Sequence, residues 1–330
     1  DNADDISAAA VTSQGYAGAW GAIAQSGPYG GRAEIDNAGS ISSSGRTDTG
    51  SAVTFGAYLS SGSTSTVVNH GDISTTARGE RGIVNVSLAA AYATGVFAYS
   101  NPYGGGGSNV SNYGSIDAHS SVLGGITRAT AVQTTGATSS IDNAEGATIS
   151  ASSEADLFGG SSALAISAAG LYNVGVVNDG AVTAYGRAQA YSDGVYGFYG
   201  ATGATGISAV ANYRGNVSVV NRGDIAAHAV AVHGITFFNA GAGATGVSTY
   251  AKYDAIVENA GNISAIADSE LGIVGAYGVM NRSKYYSHVA NDAGASIVAS
   301  ATTGSLLSDD YGGRAVSFGV ITLCGGAGAG

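Results

Sequence analysis

Short stretches of alternating apolar and polar residues recur along the chain, and nine of them close on the same phrase. The phrase is a β-branched apolar residue, a spacer, Asn, one or more spacers, Gly, a spacer, then Ile or Val. It reads Ile35–Asn37–Gly39–Ile41, Val67–Asn69–Gly71–Ile73, Val110–Asn112–Gly114–Ile116, Val176–Asn178–Gly180–Val182, Val219–Asn221–Gly223–Ile225 and Val257–Asn259–Gly261–Ile263. Ile141–Asn143–Gly146–Ile149 and Val289–Asn291–Gly294–Ile297 carry two extra residues, and a worn copy, Asn2–Ile6, has Asp4 in place of Gly. Successive asparagines lie 35, 32, 43, 31, 35, 43, 38 and 32 residues apart. A period of that size, sustained from end to end, predicts a repeat architecture.

Each phrase reads as strand, bend, strand. Period-two alternation puts Val257 and Asn259 on one face, Ile256 and Glu258 on the other. The Gly supplies either a positive φ or room for a neighbouring backbone. One such corner buries almost nothing alone. Stacked, the Val and Ile residues form columns, and the asparagines Asn37, Asn69, Asn112, Asn143, Asn178, Asn221, Asn259 and Asn291 form a ladder. A buried amide has two donors and an acceptor oxygen to satisfy, and identical amides at a strand spacing of about 4.8 Å satisfy one another. The expected fold is an all-β, right-handed parallel β-helix of about nine repeats of about 36 residues. The alternative is a set of Asn-Gly hairpin turns between antiparallel strands.

A looser second element runs between the phrases. Ser51-Ala-Val-Thr-Phe-Gly-Ala resembles Arg314-Ala-Val-Ser-Phe-Gly-Val; Ala93-Thr-Gly-Val, Ala204-Thr-Gly-Ile and Ala244-Thr-Gly-Val form a related set. These small-residue strands are expected to supply the remaining walls, three or four strands per repeat. One wide coil and two tight ones per repeat both remain open at this point.

Composition agrees with strands and bends. The 330 residues include 54 Gly and only two Pro, and charged residues are 11%, under half the usual share of about a quarter. Apolar stripes of helical period are absent. Residues 1–323 read as one elongated solenoid and 324–330 as a Gly-rich tail or linker. The start, Asp1-Asn-Ala-Asp-Asp-Ile, already lies inside a repeat and reads as a mature N-terminus or a fragment. No apolar run reaches the roughly 18–20 residues that span a bilayer, so no membrane insertion is expected. The net charge of −11 and the lack of a basic stripe argue against nucleic acid as a partner. The lone cysteine, Cys324, allows no internal disulfide.

The longer spacings mark insertions, which cluster on one face in solenoids. Tyr99-Ser-Asn-Pro-Tyr-Gly-Gly-Gly-Gly-Ser and Tyr191-Ser-Asp-Gly-Val-Tyr-Gly-Phe-Tyr-Gly are the clearest, with Gly27-Pro28-Tyr29-Gly30-Gly31 a third. Tyrosine is over-used, 19 against seven Phe. It offers a rigid apolar face with a hydroxyl, suited to sugar or protein contact. Tyr99, Tyr103, Tyr191, Tyr196, Tyr199, Tyr285 and Tyr286 are the candidate contact aromatics.

Catalytic patterns are weak. Asp309 and Asp310 are adjacent and face opposite ways on a strand. His70 and Asp72 flank Gly71 in one corner, and Asp224 repeats the position of Asp72, which marks it as a feature of the corner. His228 and His233 fall on opposite strand faces, and His119 and His288 stand alone. No carboxylate pair recurs on one wall as sugar cleavage requires. No His/Cys spacing suits zinc, and no cofactor is expected. Asn-x-Ser triplets at Asn85, Asn109, Asn216, Asn262 and Asn281 are expected by chance in so Ser- and Asn-rich a chain.

The Val-x-Asn-x-Gly-x-Ile repeat followed by Ser/Ala alternation resembles bacterial autotransporter passengers and related secreted β-helical adhesins. The resemblance covers nearly the whole chain. It implies export, an extracellular or cell-surface location, and adhesion, aggregation or biofilm scaffolding. Neither a C-terminal membrane barrel nor an N-terminal two-partner-secretion domain is recognisable here. The expectation is a non-enzymatic, self-associating fibre or adhesin, with surface glycans or host and cell-surface proteins as further partners. The alternatives are a polysaccharide lyase-like or depolymerase-like β-helix and a monomeric glycan-binding adhesin.

Overall fold

The structure, a computed structural model, describes residues 2–27, 30–80, 89–190, 201–233, 240–270, 272–304 and 314–325. All twenty described strands belong to a single sheet, and every strand pairing in it is parallel. The result is a parallel β-solenoid.

Each coil has three walls, and the phrase occurs once per coil. The two outermost coils at the C-terminal end show the plan. Wall A is Asp254–Asn259 and then Tyr286–Asn291; wall B is Asn262–Ser269 and then Ser296–Thr303; wall C is Gly272–Ser283 and then Arg314–Cys324. Each segment pairs with the segment three strands later. The loose small-residue element is wall C: Phe55, Thr94, Thr205, Thr245 and Phe318 all fall in one column of it. Sequence left one wide or two tight coils open; it is one wide coil. Where the corners are smooth, strand hydrogen bonding runs through them, so Ser115–Asn143 and Thr148–Asn178 are continuous 29- and 31-residue strands.

Register makes the core. Ile6, Ile41, Ile73, Ile116, Ile149, Val182, Ile225, Ile263 and Ile297 lie directly above one another. The members from Ile41 to Ile263 are all buried. The alternation is strict in Thr64–Asn69, where Ser65, Val67 and Asn69 point inward. A one-residue slip would turn this whole set outward, which is why the pairing holds one register along the rod. The bore is filled mostly by Ala, Val and Ile, so the walls approach closely without large side chains.

Candidate functional site

The asparagines form one unbroken ladder. Asn2 Nδ2 donates to Asn37 Oδ1 at 2.7 Å, Asn37 to Asn69 at 2.7 Å, and Asn69 to Asn112 at 2.8 Å. The line continues through Asn143, Asn178, Asn221, Asn259 and Asn291 at 2.6–2.8 Å. Each side-chain amide from Asn2 to Asn259 points an N–H toward the following coil. The main chain of the same column bonds the other way: His70 N–H donates to Asn37 O at 2.7 Å and Tyr113 N–H to Asn69 O at 2.7 Å. The second N–H of each amide holds the corner, as when Asn69 Nδ2 reaches Gly71 O at 2.9 Å and Ser115 O at 3.0 Å. Asn37 through Asn259 are buried; Asn291 on the last coil is exposed.

The glycine of the phrase has two distinct jobs. In the short phrases it makes room: a Cβ on Gly71 would sit 1.9 Å from Gly39 O, and one on Gly114 2.0 Å from Gly71 O. In the two long phrases it supplies a left-handed turn, with φ of +79° at Gly146 and +93° at Gly294 and open space around both.

The tyrosine candidates do not form one site. Tyr99 lies at the end of the wall C strand Ala89–Ser100, and Tyr103 is 89% exposed on the 3-10 turn Pro102–Gly104. Tyr191, Tyr196 and Tyr199 lie outside the described residues. Tyr285 and Tyr286 are half exposed at the corner between walls C and A. Tyr285 belongs to a group that sequence reading missed. Gly170, Ala211, Ala251 and Ser283 form one column, and two residues after each comes a tyrosine: Tyr172, Tyr213, Tyr253 and Tyr285. Tyr172 and Tyr213 meet edge to face at 6.3 Å, and Tyr253 stacks on Tyr285 at 5.2 Å. Arg214 lies over the Tyr213 ring and Lys284 over the Tyr285 ring. Lys252 and Lys284, the only two lysines in the chain, precede Tyr253 and Tyr285. All of these side chains are exposed, and among the described residues neither lysine nor Arg214 has a carboxylate partner. An acidic protein thus carries a basic, aromatic ridge along one edge. The repeated Lys-Tyr dipeptide was the available signal.

The isolated acids and histidines mostly tie coils together. Asp5, Asp72 and Asp224 share a column and accept from Ser40 at 2.6 Å, Ser115 at 2.7 Å and Asn262 at 2.9 Å in the next coil. His70 stacks on Tyr113 with ring centres 4.8 Å apart. His228 Nε2 sits 3.0 Å from Asp268 Oδ2, with Tyr185 edge-on. Asn281 is fully buried and its amide donates to Ala255 O and His288 O, so this Asn-x-Ser triplet is no surface acceptor. Asp309, Asp310 and Asn85 lie outside the described residues, as does the His233 side chain. Among the described residues no group of three His, Cys, Asp or Glu could hold a metal ion, and no helix is long and apolar enough to cross a membrane.

At the two ends the core columns lose a neighbour. Val320 is 44% exposed, whereas Val96, Val132, Ile166, Ile207, Val247 and Val279 in its column are wholly buried. Val11, Ile23, Val298 and Leu323 lie in outward-facing columns of the end coils and are exposed as well. No family model matches this chain, and neither does any curated protein or solved structure.

Proposed function

We propose that this chain is a non-enzymatic structural solenoid that acts outside the cell or at a bacterial cell surface, associates with copies of itself, and serves as an adhesive or matrix fibre. One observation carries the reading. The amide ladder runs in one polarity through every coil, ending at Asn2 with an Oδ1 that accepts from no other described rung and at Asn291 with an exposed amide whose N–H reaches no further rung. Such an end is a template for a further parallel strand. A contact of this kind does not close on itself, so it extends into a fibre. The low charge density opposes association only weakly. The resemblance of the repeat to secreted β-helical adhesins supports the location.

Electron microscopy of purified protein over a concentration series tests the reading. Fibres are expected, with a subunit repeat of about 43 Å from nine rungs at about 4.8 Å. Short separate rods at every concentration would refute it.

A second reading, a glycan-binding adhesin that works as a single rod, is favoured by the tyrosine ridge. Aromatic rings stack on the apolar faces of sugars, and Arg214, Lys252 and Lys284 suit acidic ones. A glycan array with and without the ridge tyrosines distinguishes it.

A further inference from the structure

We infer that two copies join head to tail in continuous register, the C-terminal coil of one beneath the N-terminal coil of the next, with Asn291 under Asn2, Ile297 under Ile6, Phe318 under Trp20 and Val320 under Ala22. This rests on the self-association reading and specifies its contact.

The outward face of wall C carries the inference. One column there reads Trp20, Phe55, Thr94, Thr130, Leu164, Thr205, Thr245, Tyr277, Phe318. Aromatic rings occupy the first two and last two rungs and none between. The column three residues on reads Ile23, Tyr58, Phe97, then Gln133 and three serines, then Met280 and Ile321. Both columns are apolar at the ends and polar or mostly polar in the middle. A rod whose coils met only its own coils would have no reason to concentrate aromatics at its two ends. Joined head to tail, the halves merge. Tyr277 already stacks on Phe318 at 5.9 Å, and Trp20 on Phe55 at 6.3 Å. The junction adds the missing Phe318–Trp20 step, giving four aromatic rungs in a row. Aromatic pairs in this geometry add to plain area burial.

One corner must shift: Asp4 stands at the Gly position of the phrase, where a Cβ would press on Ala295 O as one on Gly180 would on Ala147 O at 2.2 Å, so the Asn2–Ile6 corner moves outward on docking while the strands on either side keep register. Arg314 falls opposite Tyr16 and Asp5 opposite Ser296. The Asn291 amide gains the Asn2 oxygen, and the amide ladder passes from copy to copy. Walls B and C are covered in full. Wall A of the lower copy meets Asn2 alone among the described residues.

Cys324 gives a test of register. Its column contains Ser283, Ala251, Ala211, Gly170, Gly136, Ser100 and Ser61, and at the far end Ser26 follows Gln25, the partner of Ser60. The junction therefore stacks Cys324 on Ser26 at about 4.8 Å between Cα atoms, inside the range a disulfide accepts. Ser26→Cys protein treated with oxidised glutathione should give a ladder of disulfide-linked oligomers on a non-reducing gel. The Ser26→Cys/Cys324→Ser double variant should give none. A second variant pair, Trp20→Thr with Phe318→Thr, installs the mid-rod residue at both ends and should raise the concentration for assembly at least tenfold while circular dichroism stays unchanged. Fibres that form without the Ser26→Cys ladder would overturn the junction and leave self-association standing. Cross-linking only to dimers through Cys324 of both copies would also overturn it, since that is tail to tail. Separate rods with no cross-link would overturn both.

Discussion

Asn69 Nδ2 lies 2.8 Å from Asn112 Oδ1, 43 residues further along the chain, and both side chains are sealed from solvent. Substituting Asn112 with Ala leaves Asn143 Oδ1 buried without its N–H donor and takes one acceptor from Asn69. A buried polar group left unmatched costs about 1–3 kcal/mol, so Asn112→Ala should lose roughly 2–4 kcal/mol in chemical denaturation. Asn291→Ala, on the exposed outer rung, should lose under about 1 kcal/mol. Equal losses at the two positions would mean that the ladder does not bear on stability.

The two kinds of corner glycine should respond differently. Gly71→Ala forces a methyl into Gly39 O, and only a backbone shift relieves it. Overpacking of that kind costs roughly 3 kcal/mol. Gly146→Ala meets no atom and suffers only from its φ of +79°, about 1 kcal/mol. Thermal melts of both variants measure the difference, and the order Gly71→Ala below Gly146→Ala is the expected result.

Core truncation should depend on position along the rod. Ile116 is wholly buried in mid-column, so Ile116→Ala should cost about 2–5 kcal/mol. Ile297 has a neighbour on one side only, and Ile297→Ala should cost less than half as much in dilute solution. Hydrogen exchange resolves the effect coil by coil, which suits a molecule in which each repeat contacts mainly its neighbours.

The tyrosine ridge predicts binding behaviour. If the single-rod adhesin reading holds, Tyr213→Ala with Tyr253→Ala should weaken binding to an acidic polysaccharide at least tenfold, since ring stacking supplies the contact. Lys252→Ala with Lys284→Ala should weaken it less and remove most of its salt dependence. Unchanged binding in both pairs would rule the ridge out as the contact surface.

Much of the scaffold could be read directly from the chain. The inward positions of Val257 and Asn259, the shared corner position of Asp72 and Asp224, and the wall role of the Ala-Thr-Gly-Val segments all follow from period two and a period near 36 residues. Those are local or one-dimensional signals, and stacking repeats them without change. The ridge was harder. Tyr172, Tyr213, Tyr253 and Tyr285 are separated by stretches of unequal length, so their common column emerges only when register aligns the coils. Tyr103 was grouped with Tyr285 from sequence, yet it sits on the inserted turn Pro102–Gly104 and not two residues past the column, as the ridge tyrosines do.

Sequence alone thus pointed to stacking, because inward asparagines that recur once per repeat between β-branched residues satisfy one another when each has a like amide above and below it. The tertiary structure decided how many walls a coil has, which glycines turn and which make room, and which distant aromatics share a column. These depend on the absolute register between coils, which arises from the summed fit of every rung and is encoded in no single repeat.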